Sequence, residues 1–400
     1  MLMAHKIRLD PNNVQVTHLA RAAGVARFAY NWALNEWGCL YQAYLVDPAL
    51  PKPTEAALGR KLNAIKRIEF PWMLEVTKCA PQMAILQLGR AFSNFFAHRA
   101  RYPKFRCKGR DDRFTLSNDQ FQVKDKRIRV PKLGWVRMCE RLRFTGRIVS
   151  ACIRRVADHW YASITVDVPE RAHRPPSENQ GAVGVDLGVS RLATLSTGET
   201  FTGPKALRHS LQRLRRLSKA LSRKVKGSRN RVKAKRKLGR HHARIAAIRH
   251  DGLHRVTTNI TRRFHTIGVE DLNVKGMVKN GRLSRAIVDM GFAELRRQLE
   301  YKAEWCGGQV VVIDRWYPSS KTCSCCGTRI DTLYLAQRQW CCAACGTTHD
   351  RDINAAINLR DMAVSSTVSA CGGEGTGLVS EHKVKPALVK QESIGKASFR

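Results

Sequence analysis

The chain has 400 residues, which is enough for two to four domains with hydrophobic cores of their own. Lys and Arg number 71 against 32 Asp and Glu, a net charge of +39, while 43% of the residues are hydrophobic. Charge for solubility alone needs a much smaller excess. The balance therefore favours a polyanionic partner, with nucleic acid ahead of a membrane surface.

Membrane and secretory classes fit the sequence poorly. No apolar run approaches the ~20 residues of a membrane span, and the start, MLMAHKIRLDPNN, lacks the apolar core of a signal peptide. We therefore expect a cytoplasmic protein with no membrane partner, whose 13 cysteines are reduced or metal-bound rather than paired as disulfides. Six isolated cysteines are interpreted as core residues: Cys39, Cys79, Cys107, Cys139, Cys152 and Cys306.

The first half of the chain changes from helical to strand periodicity. HKIRLD alternates as a short strand, and residues 14–45 and the following segments to about residue 104 carry helical apolar spacing broken by prolines. From about residue 114 to 168 the pattern predicts strands between polar turns, as in an antiparallel barrel or sheet. The polar, proline-rich PERAHRPPSENQ then predicts a linker.

The second half has an α/β pattern. GAVGVDLG, LATLSTGETF, TIGVEDL and QVVVID are short apolar strands separated by long helical stretches. After residue 362 the chain loses periodicity and becomes rich in Ser, Gly, Val and Lys, which predicts a disordered tail over residues 363–400.

One helical stretch is strongly basic. Residues 205–250 contain 18 Lys and Arg and no Asp or Glu, and leucines at helical spacing predict a hairpin of helices that turns near KGSRN. A solvated charged face is the usual explanation of such a run, but unrelieved positive charge on a helix repels itself unless a polyanion neutralises it. The candidate nucleic-acid contacts are Arg213, Arg216, Lys224, Arg231 and Lys235.

Two pairs of cysteines have the spacing of a metal site. Cys323 and Cys326 are followed, after fifteen residues, by Cys342 and Cys345, with a glycine behind each pair to help the knuckle turn. Four thiolates from two tight turns form a closed tetrahedral site, which predicts one structural Zn²⁺. A redox role for the pairs is the alternative, although no thioredoxin-like context precedes them. The adjacent Cys325 and Cys341 are spare in this interpretation.

Three carboxylates occupy the ends of core elements. Asp186 ends the strand AVGVD, Glu270 ends TIGVE, and Asp352 lies in HDRDINAAINL before a helix. Converging carboxylates repel one another unless cations lie among them, and two Mg²⁺ ions held in this way support phosphodiester cleavage. Each acid also has an ordinary alternative as a turn, an ion-pair partner or a cap. Asp350 is interpreted as a helix cap and Asp271 as pointing away from the site.

At these residues the chain resembles a known family. Five segments are similar to the RuvC-like nuclease core and zinc knuckle of the TnpB (OrfB) family: GVDLGVSRLATLSTG, VEDLNVKGMV, FAELRRQLEYKAEW, DRWYPSSKTCSCCG and CGTTHDRDINAAINL. The similarity also extends back through GVARFAYNWAL, AFSNFF and VPKLGWVRM. These are transposon-encoded RNA-guided DNA nucleases, similar to compact type V CRISPR effectors. The resemblance covers about residues 5–362.

The resemblance implies a multidomain α+β and α/β architecture: a strand-built wedge domain like an oligonucleotide-binding fold, a helical recognition insertion, and an RNase H-like nuclease domain with an inserted four-Cys knuckle. The implied segments are 1–10 and 105–172 for the wedge, 11–104 for recognition, 173–180 for the linker, 181–318 and 348–362 for the nuclease, and 319–347 for the knuckle.

The resemblance also implies the activity and the partners. Asp186, Glu270 and Asp352 match the family's catalytic acids and would hold two Mg²⁺ ions. A guide RNA from the transposon end would pair with double-stranded target DNA beside a short flanking motif, and the protein would act as a monomer with its RNA. Lys78 and Gln82 are candidates for contacting that motif, although Pro81 between them fits only a first helical turn.

Three alternatives remain open at this point. The chain could be a guided DNA-binding protein that has lost cleavage, but all three acids are present. It could be a transposase that itself transfers strands, but a separate His and Tyr nucleophile motif is not evident. A stand-alone type V CRISPR effector would share the same chemistry and would differ only in its gene neighbourhood.

Overall fold

The computed structural model describes residues 1–169, 180–334 and 336–370. The predicted linker, except Pro169 and Gln180, and the chain beyond Ala370 lie outside the described residues. Among the helices described, none has the length and apolar composition needed to cross a membrane.

The first half combines one strand, three helices and six further strands. The helices follow β1 directly, and the chain returns to the sheet at β2. The elements are β1 (Leu2–Asp10), α1 (Asn13–Val46), α2 (Glu55–Ile65), α3 (Cys79–Phe96), β2 (Arg113–Ser117), β3 (Gln122–Lys124), β4 (Arg127–Val130), β5 (Gly134–Met138), β6 (Arg147–Val156) and β7 (His159–Asp167).

These strands form one seven-stranded sheet in the order β2-β6-β7-β1-β5-β4-β3, with every neighbouring pair antiparallel. The predicted antiparallel sheet is therefore confirmed. The N-terminal strand lies at its centre, and its residues alternate strictly between buried and exposed. One core joins this sheet to the helices, and within it Trp37 of α1 stacks on Phe92 of α3 with ring centroids 4.1 Å apart.

Helix α1 begins with a capping box, and much of its buried face consists of alanine side chains. The Asn12 side chain accepts a hydrogen bond from the Gln15 amide, and the Gln15 side chain accepts one from the Asn12 amide, a capping box. Alanines at 22, 26, 29 and 33 are buried against the neighbouring elements. Small residues along one face allow neighbouring elements to pack closely against the helix, which is continuous over Asn13–Val46.

The second half contains the other strands and the basic helices. The elements are β8 (Ala182–Asp186), β9 (Ala193–Leu195), β10 (Thr200–Phe201), α4 (Ala206–Ser222), α5 (Arg229–Arg263), β11 (Thr266–Glu270), α6 (Val274–Met277), α7 (Ser284–Met290), α8 (Phe292–Trp305), β12 (Gln309–Ile313), β13 (Gln339–Cys341), β14 (Thr348–Asp350) and α9 (Arg351–Ala370).

Five of these strands form a mixed sheet in the order β10-β9-β8-β11-β12. β8, β11 and β12 are parallel to one another, whereas β9 and β10 are antiparallel to their neighbours. This is an RNase H-like arrangement, and its core is separate from that of the first sheet. β13 and β14 pair as a small ribbon in the cysteine-rich segment.

Helix α9 packs directly on the two central strands of the mixed sheet. Gly184 of β8 and Gly268 of β11 are register partners, and a Cβ at either position would overlap the backbone of α9, at Ala356 and Leu359 respectively. Only glycine permits this approach of helix to strand. The two glycines therefore fix the height at which α9 crosses the sheet.

Two expectations from the sequence are wrong. The tail was expected to be disordered from residue 363, but α9 continues to Ala370 and Ala363 is buried against Ile313 and Leu359. Ala363 packs on the core, and because a helix propagates more easily than it nucleates, α9 continues beyond it. The prediction that the isolated cysteines are core residues is also wrong for three of them, since Cys39, Cys107 and Cys139 are exposed.

Candidate active site

Two of the three predicted acids lie at the same edge of the mixed sheet. Asp186 is the last residue of β8 and Glu270 the last of β11, and the parallel register pairs Val185 with Val269 directly before them. The carboxyl ends of adjacent parallel strands meet at one edge of a sheet, so Asp186 and Glu270 lie side by side at the ends of their strands. Both positions are partly buried.

Helix α9 supplies the third acid at this edge. Ala356 lies over Gly184, and Asp352 comes one helical turn earlier, a rise of about 6 Å. Asp186 comes two strand residues after Gly184, a rise of about 6.6 Å. Because the helix runs back along the strand, the two rises match and bring Asp352 to the end of β8.

The electrostatics of the cluster agree with this geometry. The pKa of Asp186 is raised to about 7, first by burial and then by the neighbouring carboxylates of Asp352 and Glu270, against a smaller opposing effect of Arg351. Burial also raises the pKa of Glu270. A buried carboxyl whose ionisation is opposed by two neighbouring carboxylates is a donor that a hard divalent cation stabilises.

The two acids excluded by the sequence interpretation have structural roles. One carboxylate oxygen of Asp350 accepts hydrogen bonds from the amides of Asp352 and Ile353, at 2.9 and 3.1 Å, so Asp350 caps α9 as predicted. Asp271 points away from the cluster and pairs with Arg296 and Arg315. These two guanidinium groups lower the pKa of Asp271 by hydrogen bonding to it.

Sequence reasoning missed a basic residue at the third acid. Arg338 lies between the two cysteine pairs, and its Nη1 donates to Oδ1 of Asp352 at 3.2 Å. The other terminal nitrogen donates to Oγ of Ser190 at 3.5 Å. The cysteine-rich segment therefore reaches into the acid cluster, a contact that no local sequence pattern could reveal.

Two basic clefts flank the cluster. The one beside Asp352 has a volume of about 710 Å³, and its cationic lining residues are Lys205, Arg208, Arg282, Arg285 and Arg338. The one beside Glu270 has a volume of about 420 Å³, and its cationic lining residues are Lys275, Arg296, Arg297 and Arg315. A polyanion can therefore approach the acids from either side.

The four predicted metal ligands converge. The ligand atoms of Cys323, Cys326, Cys342 and Cys345 all lie within 4.8 Å of one another, and Cys325 and Cys341 fall outside the group. Burial raises the pKa of Cys323 to about 12, whereas the Thr347 hydroxyl lowers that of Cys345 to about 6. Four thiols at tetrahedral spacing fit a soft cation that displaces their protons.

A histidine that the sequence interpretation passed over supports this group. His349 is buried, its ring packs on Trp340 with centroids 4.8 Å apart, and its Nε2 lies 3.0 Å from Sγ of Cys323. An imidazole N–H can donate to a ligating sulfur in this geometry. His349 lies on β14, one residue before the cap of α9.

Two buried asparagines join the cysteine group to α9. The side-chain amides of Asn354 and Asn358 both donate to the carbonyls of Ser319 and Thr322, at 2.7 to 3.3 Å. The amide of Ser324 donates in turn to Oδ1 of Asn354 at 2.9 Å. The helix that carries Asp352 is thus bonded to the entry of the first cysteine turn.

The predicted basic hairpin forms from α4 and α5, with its turn at residues 223–228. Arg213, Arg216, Lys224 and Lys235 are exposed. Arg231 also has a structural role, because its Nη1 donates to the carbonyls of Leu221 and Lys224 at 3.1 and 2.8 Å and so caps α4. Nucleic-acid contact of these residues stays a prediction.

A buried carboxylate holds the start of this hairpin. Asp289 of α7 is 3% exposed and accepts hydrogen bonds from the amides of Leu207 and Arg208, the first turn of α4. It also pairs with Arg249 of α5 at 3.3 Å. Since Lys205 and Arg208 line the cleft beside Asp352, Asp289 fixes the position of that basic wall.

The candidate contacts with a flanking motif stay untested as well. Pro81 lies in the first turn of α3, and Lys78 precedes that helix as its N-cap. Lys78 and Gln82 are both exposed. Lys78 has αR backbone angles and its carbonyl accepts the amide of Gln82 at 3.4 Å, so the two residues are one helical turn apart despite Pro81 between them.

The fold and the site together define a class of protein: an RNase H-like domain with carboxylates at its sheet edge and a four-cysteine knuckle. Three family models match the chain, "Probable transposase" at residues 163–281, "Cas12f1-like, TNB domain" at 292–359 and "Helix-turn-helix domain" at 1–44. In this structure residues 1–44 form β1 and most of the continuous helix α1 rather than two helices.

The chain belongs to the TnpB (OrfB) family. It is 38% identical over 398 residues to "Putative RNA-guided DNA endonuclease" of Streptomyces pristinaespiralis, covering 97% of this chain and 96% of the relative. It is 35% identical to "Putative RNA-guided DNA endonuclease InsQ" of Escherichia coli (strain K12), covering 93% and 94%. The Cas12f1 chain in a complex with sgRNA and target DNA shares the fold, with a TM-score of 0.53, 14% identity, and 88% and 83% coverage.

Proposed function

We propose that this protein is an RNA-guided DNA endonuclease that cleaves target DNA by hydrolysis of phosphodiester bonds at Asp186, Glu270 and Asp352. The observation that carries the proposal is the convergence of these acids, with the pKa of Asp186 raised to about 7 by burial and by its neighbours. Two relatives of nearly the same length, named as putative RNA-guided DNA endonucleases, support the guided activity.

The acids are proposed to hold two Mg²⁺ ions. Such a pair activates a water molecule and stabilises the leaving oxygen. Asp186 and Glu270 present their carboxylates from neighbouring strands, and Asp352 presents its own from the helix that closes the site. Arg338 and the two basic clefts would hold the phosphates on either side of the bond that is cut.

The cysteine knuckle is proposed to bind one structural Zn²⁺. Four thiols within 4.8 Å of one another leave no open position for a substrate, which is the arrangement of a closed site. Its position beside α9 gives the metal an indirect part in catalysis. The metal-bound knuckle would hold the start of α9 through hydrogen bonds to Asn354 and Asn358, and would therefore keep Asp352 at the sheet edge.

The chain is proposed to divide into four domains, which together hold the nucleic acids. Residues 1–10 and 105–172 would form the wedge domain, 11–104 the recognition domain, 181–318 with 348–362 the nuclease domain, and 319–347 the knuckle. A guide RNA encoded at the end of the transposon would lie against the basic hairpin. Lys78 and Gln82 would face the flanking motif of the target DNA. The loaded protein is proposed to be a monomer in the cytoplasm.

The proposal is tested by co-expression of the chain with the DNA that flanks its gene. The RNA that copurifies is sequenced, and a plasmid with a matching target is then incubated with the complex in Mg²⁺. Cleavage that requires both the RNA and the metal is the expected result. RNA-directed binding without cutting would make the chain a guided DNA-binding protein, and cutting without RNA would contradict guidance.

The basic hairpin gives a quantitative expectation. Replacement of four exposed cations by glutamine should weaken RNA binding and reduce the slope of log affinity against log salt by about one for each phosphate that is no longer neutralised. The four are Arg213, Arg216, Lys224 and Lys235. Binding measured across a salt series supplies both quantities.

A matched control removes charges that already have carboxylate partners. Arg21 pairs with Glu75 at 3.1 Å and Lys61 with Glu36 at 2.5 Å. Their replacement by glutamine should leave the salt slope unchanged. An unchanged slope in the hairpin variant would remove the hairpin from the RNA-binding surface.

Arg338 should matter for cleavage and not for guided binding. Arg338→Ala removes the cation that lies 3.2 Å from Asp352, so we expect cleavage to slow by about a hundred-fold, the usual effect of losing one preorganised charge-stabilising group. Target binding by the RNA complex should persist. Arg329→Ala, at an exposed arginine of the same knuckle, is the control, and equal loss in both variants would indicate general damage to the knuckle instead.

A further inference from the structure

An aromatic surface in the first half of the chain has no part in the proposed cleavage site. Phe96 ends α3, and Tyr102 and Phe105 lie in the segment that follows. These three residues, here called the aromatic patch, are 57%, 50% and 55% exposed. A cavity of about 610 Å³ opens between Tyr102, Phe105 and the middle of α1. Clustered exposed rings of this kind mark an interaction site rather than ordinary surface.

The backbone beneath the aromatic patch is fixed. Pro103 is buried, and the Asn31 side chain accepts from the amide of Arg106 at 2.8 Å and donates to its carbonyl at 3.0 Å. The Arg106 guanidinium stacks over Tyr30 at 3.7 Å and donates to Gln87 at 2.8 Å. Because both ends of the segment are held, the rings cannot turn inward to find a core.

The rings are also oriented by their neighbours. Tyr102 meets Phe92 and Phe95 edge-on, with ring centroids 5.5 and 5.4 Å apart, and Phe96 stacks on Phe92 at 6.0 Å. These contacts leave half of the Tyr102 surface exposed. The rings of Phe96 and Tyr102 are therefore held in place by their neighbours, which reduces the entropy lost when a flat ligand binds.

The charge around the patch identifies the ligand as a polyanion. Residues 97–110, AHRARYPKFRCKGR, contain five Lys and Arg besides Arg106, which is already engaged with Tyr30 and Gln87, and no Asp or Glu. Single-stranded nucleic acids are held by aromatic rings that stack on successive bases and by cations that track the phosphates. Paired bases hide their faces within the helix, so ring faces of this kind select unpaired nucleotides.

We propose that the aromatic patch binds an unpaired segment of the guide RNA. This inference rests on the proposed function and adds to it a site for a particular part of the RNA. Guide RNA is favoured over target DNA because the RNA stays bound between targets and covers the rings continuously, whereas DNA covers them only during engagement. Continuous cover is what a cluster of exposed rings needs in order to resist aggregation.

The test is the affinity of the chain for its copurified and resynthesised RNA. Tyr102→Ser with Phe105→Ser should weaken binding by about ten-fold per ring, with the salt slope unchanged because no charge is removed. Phe105→Ser alone leaves the packing contacts of Tyr102 intact and should still weaken RNA binding. Phe105→Trp, which keeps an aromatic ring at this position, should bind RNA with wild-type affinity. Ile68→Ser, at a position that is 85% exposed, is the control and should have no effect.

Ultraviolet crosslinking identifies the occupant directly. In the RNA complex without DNA, Tyr102 and Phe105 should crosslink to nucleotides that are unpaired in the folded RNA. Crosslinks that form only after target DNA is added, or to DNA, would overturn the assignment to RNA.

The two levels of the proposal fail in different ways. Affinity of the double-serine variant equal to that of the wild type, with RNA still bound by both, would refute the aromatic patch as an RNA site and leave the guided nuclease standing. A chain that binds no RNA in any variant would refute the proposed function itself.

Discussion

Asp186→Asn is expected to abolish cleavage, with a loss of about a thousand-fold or more, while the RNA complex still binds its target. The asparagine keeps the shape of the side chain but removes the charge that a divalent cation needs at the end of β8, and metal-ion stabilisation of a phosphodiester transition state amounts to several kcal/mol. Plasmid cleavage and target binding, measured on the same preparation, separate the two effects.

The matched control is a carboxylate on α9 outside the cluster. Asp361 is exposed and pairs with its neighbour Arg360 at 2.8 Å. Asp361→Asn should cut at the wild-type rate. Residual cleavage by Asp186→Asn near that of the control would mean that the converging acids are not the catalytic site.

The same substitution should stabilise the metal-free chain at high pH. The pKa of Asp186 is raised to about 7, so the folded state keeps a proton that the unfolded chain loses near pH 4. The free energy of unfolding therefore falls as pH rises from about 4 to 7 and stays lower above 7. Because asparagine does not ionise, the melting temperature of Asp186→Asn should exceed that of the wild type at pH 8, by a margin that narrows towards pH 5.

Cys342→Ser is expected to remove the zinc and to unfold the knuckle. Structural zinc sites contribute roughly 10 kcal/mol or more to the ordering of small domains. The core of this knuckle consists of little more than Cys323, Cys342 and Trp340, with two partly buried residues against them. Metal analysis should fall from about one zinc per chain to none, and amide exchange over residues 319–347 should become fast.

Cleavage should be lost together with the metal. Asp352 follows the knuckle closely in the chain, and the Asn354 amide depends on carbonyls that only the folded knuckle presents. Cys341→Ser, next to the ligand, is the control and should keep the zinc and the activity. A Cys342→Ser chain that stayed ordered over residues 319–347 would refute a structural metal at this position.

The parts of the fold that follow from local pattern were predictable. Alternation and helical spacing indicated the strands and helices of both halves, because burial of one face produces a period of two or of 3.6 in the sequence. The four cysteines were predictable since two tight turns of fixed spacing converge with little help from the rest of the chain. Asp186 and Glu270 were predictable as polar residues that end apolar strands.

The residues that were missed act over long sequence separations. Arg338 reaches Ser190 across 148 residues, and Asp289 caps a helix that begins more than eighty residues earlier. Asn354 and Asn358 are helical neighbours, but their partners are backbone carbonyls, which carry no sequence signal. Such contacts depend on how the elements pack, and periodicity within one element contains no information about that.

The central place of β1 has a consequence for synthesis on the ribosome. Residues 2–10 emerge first, yet their partners β5 and β7 lie at residues 134–138 and 159–167. At about 5–20 residues per second, the strand waits roughly 6 to 26 seconds before the first of these neighbours, β5, has been synthesised. Helices α1 to α3 emerge during that interval with mostly local contacts, so they should fold first and the sheet should assemble around a strand that has been unpaired until then.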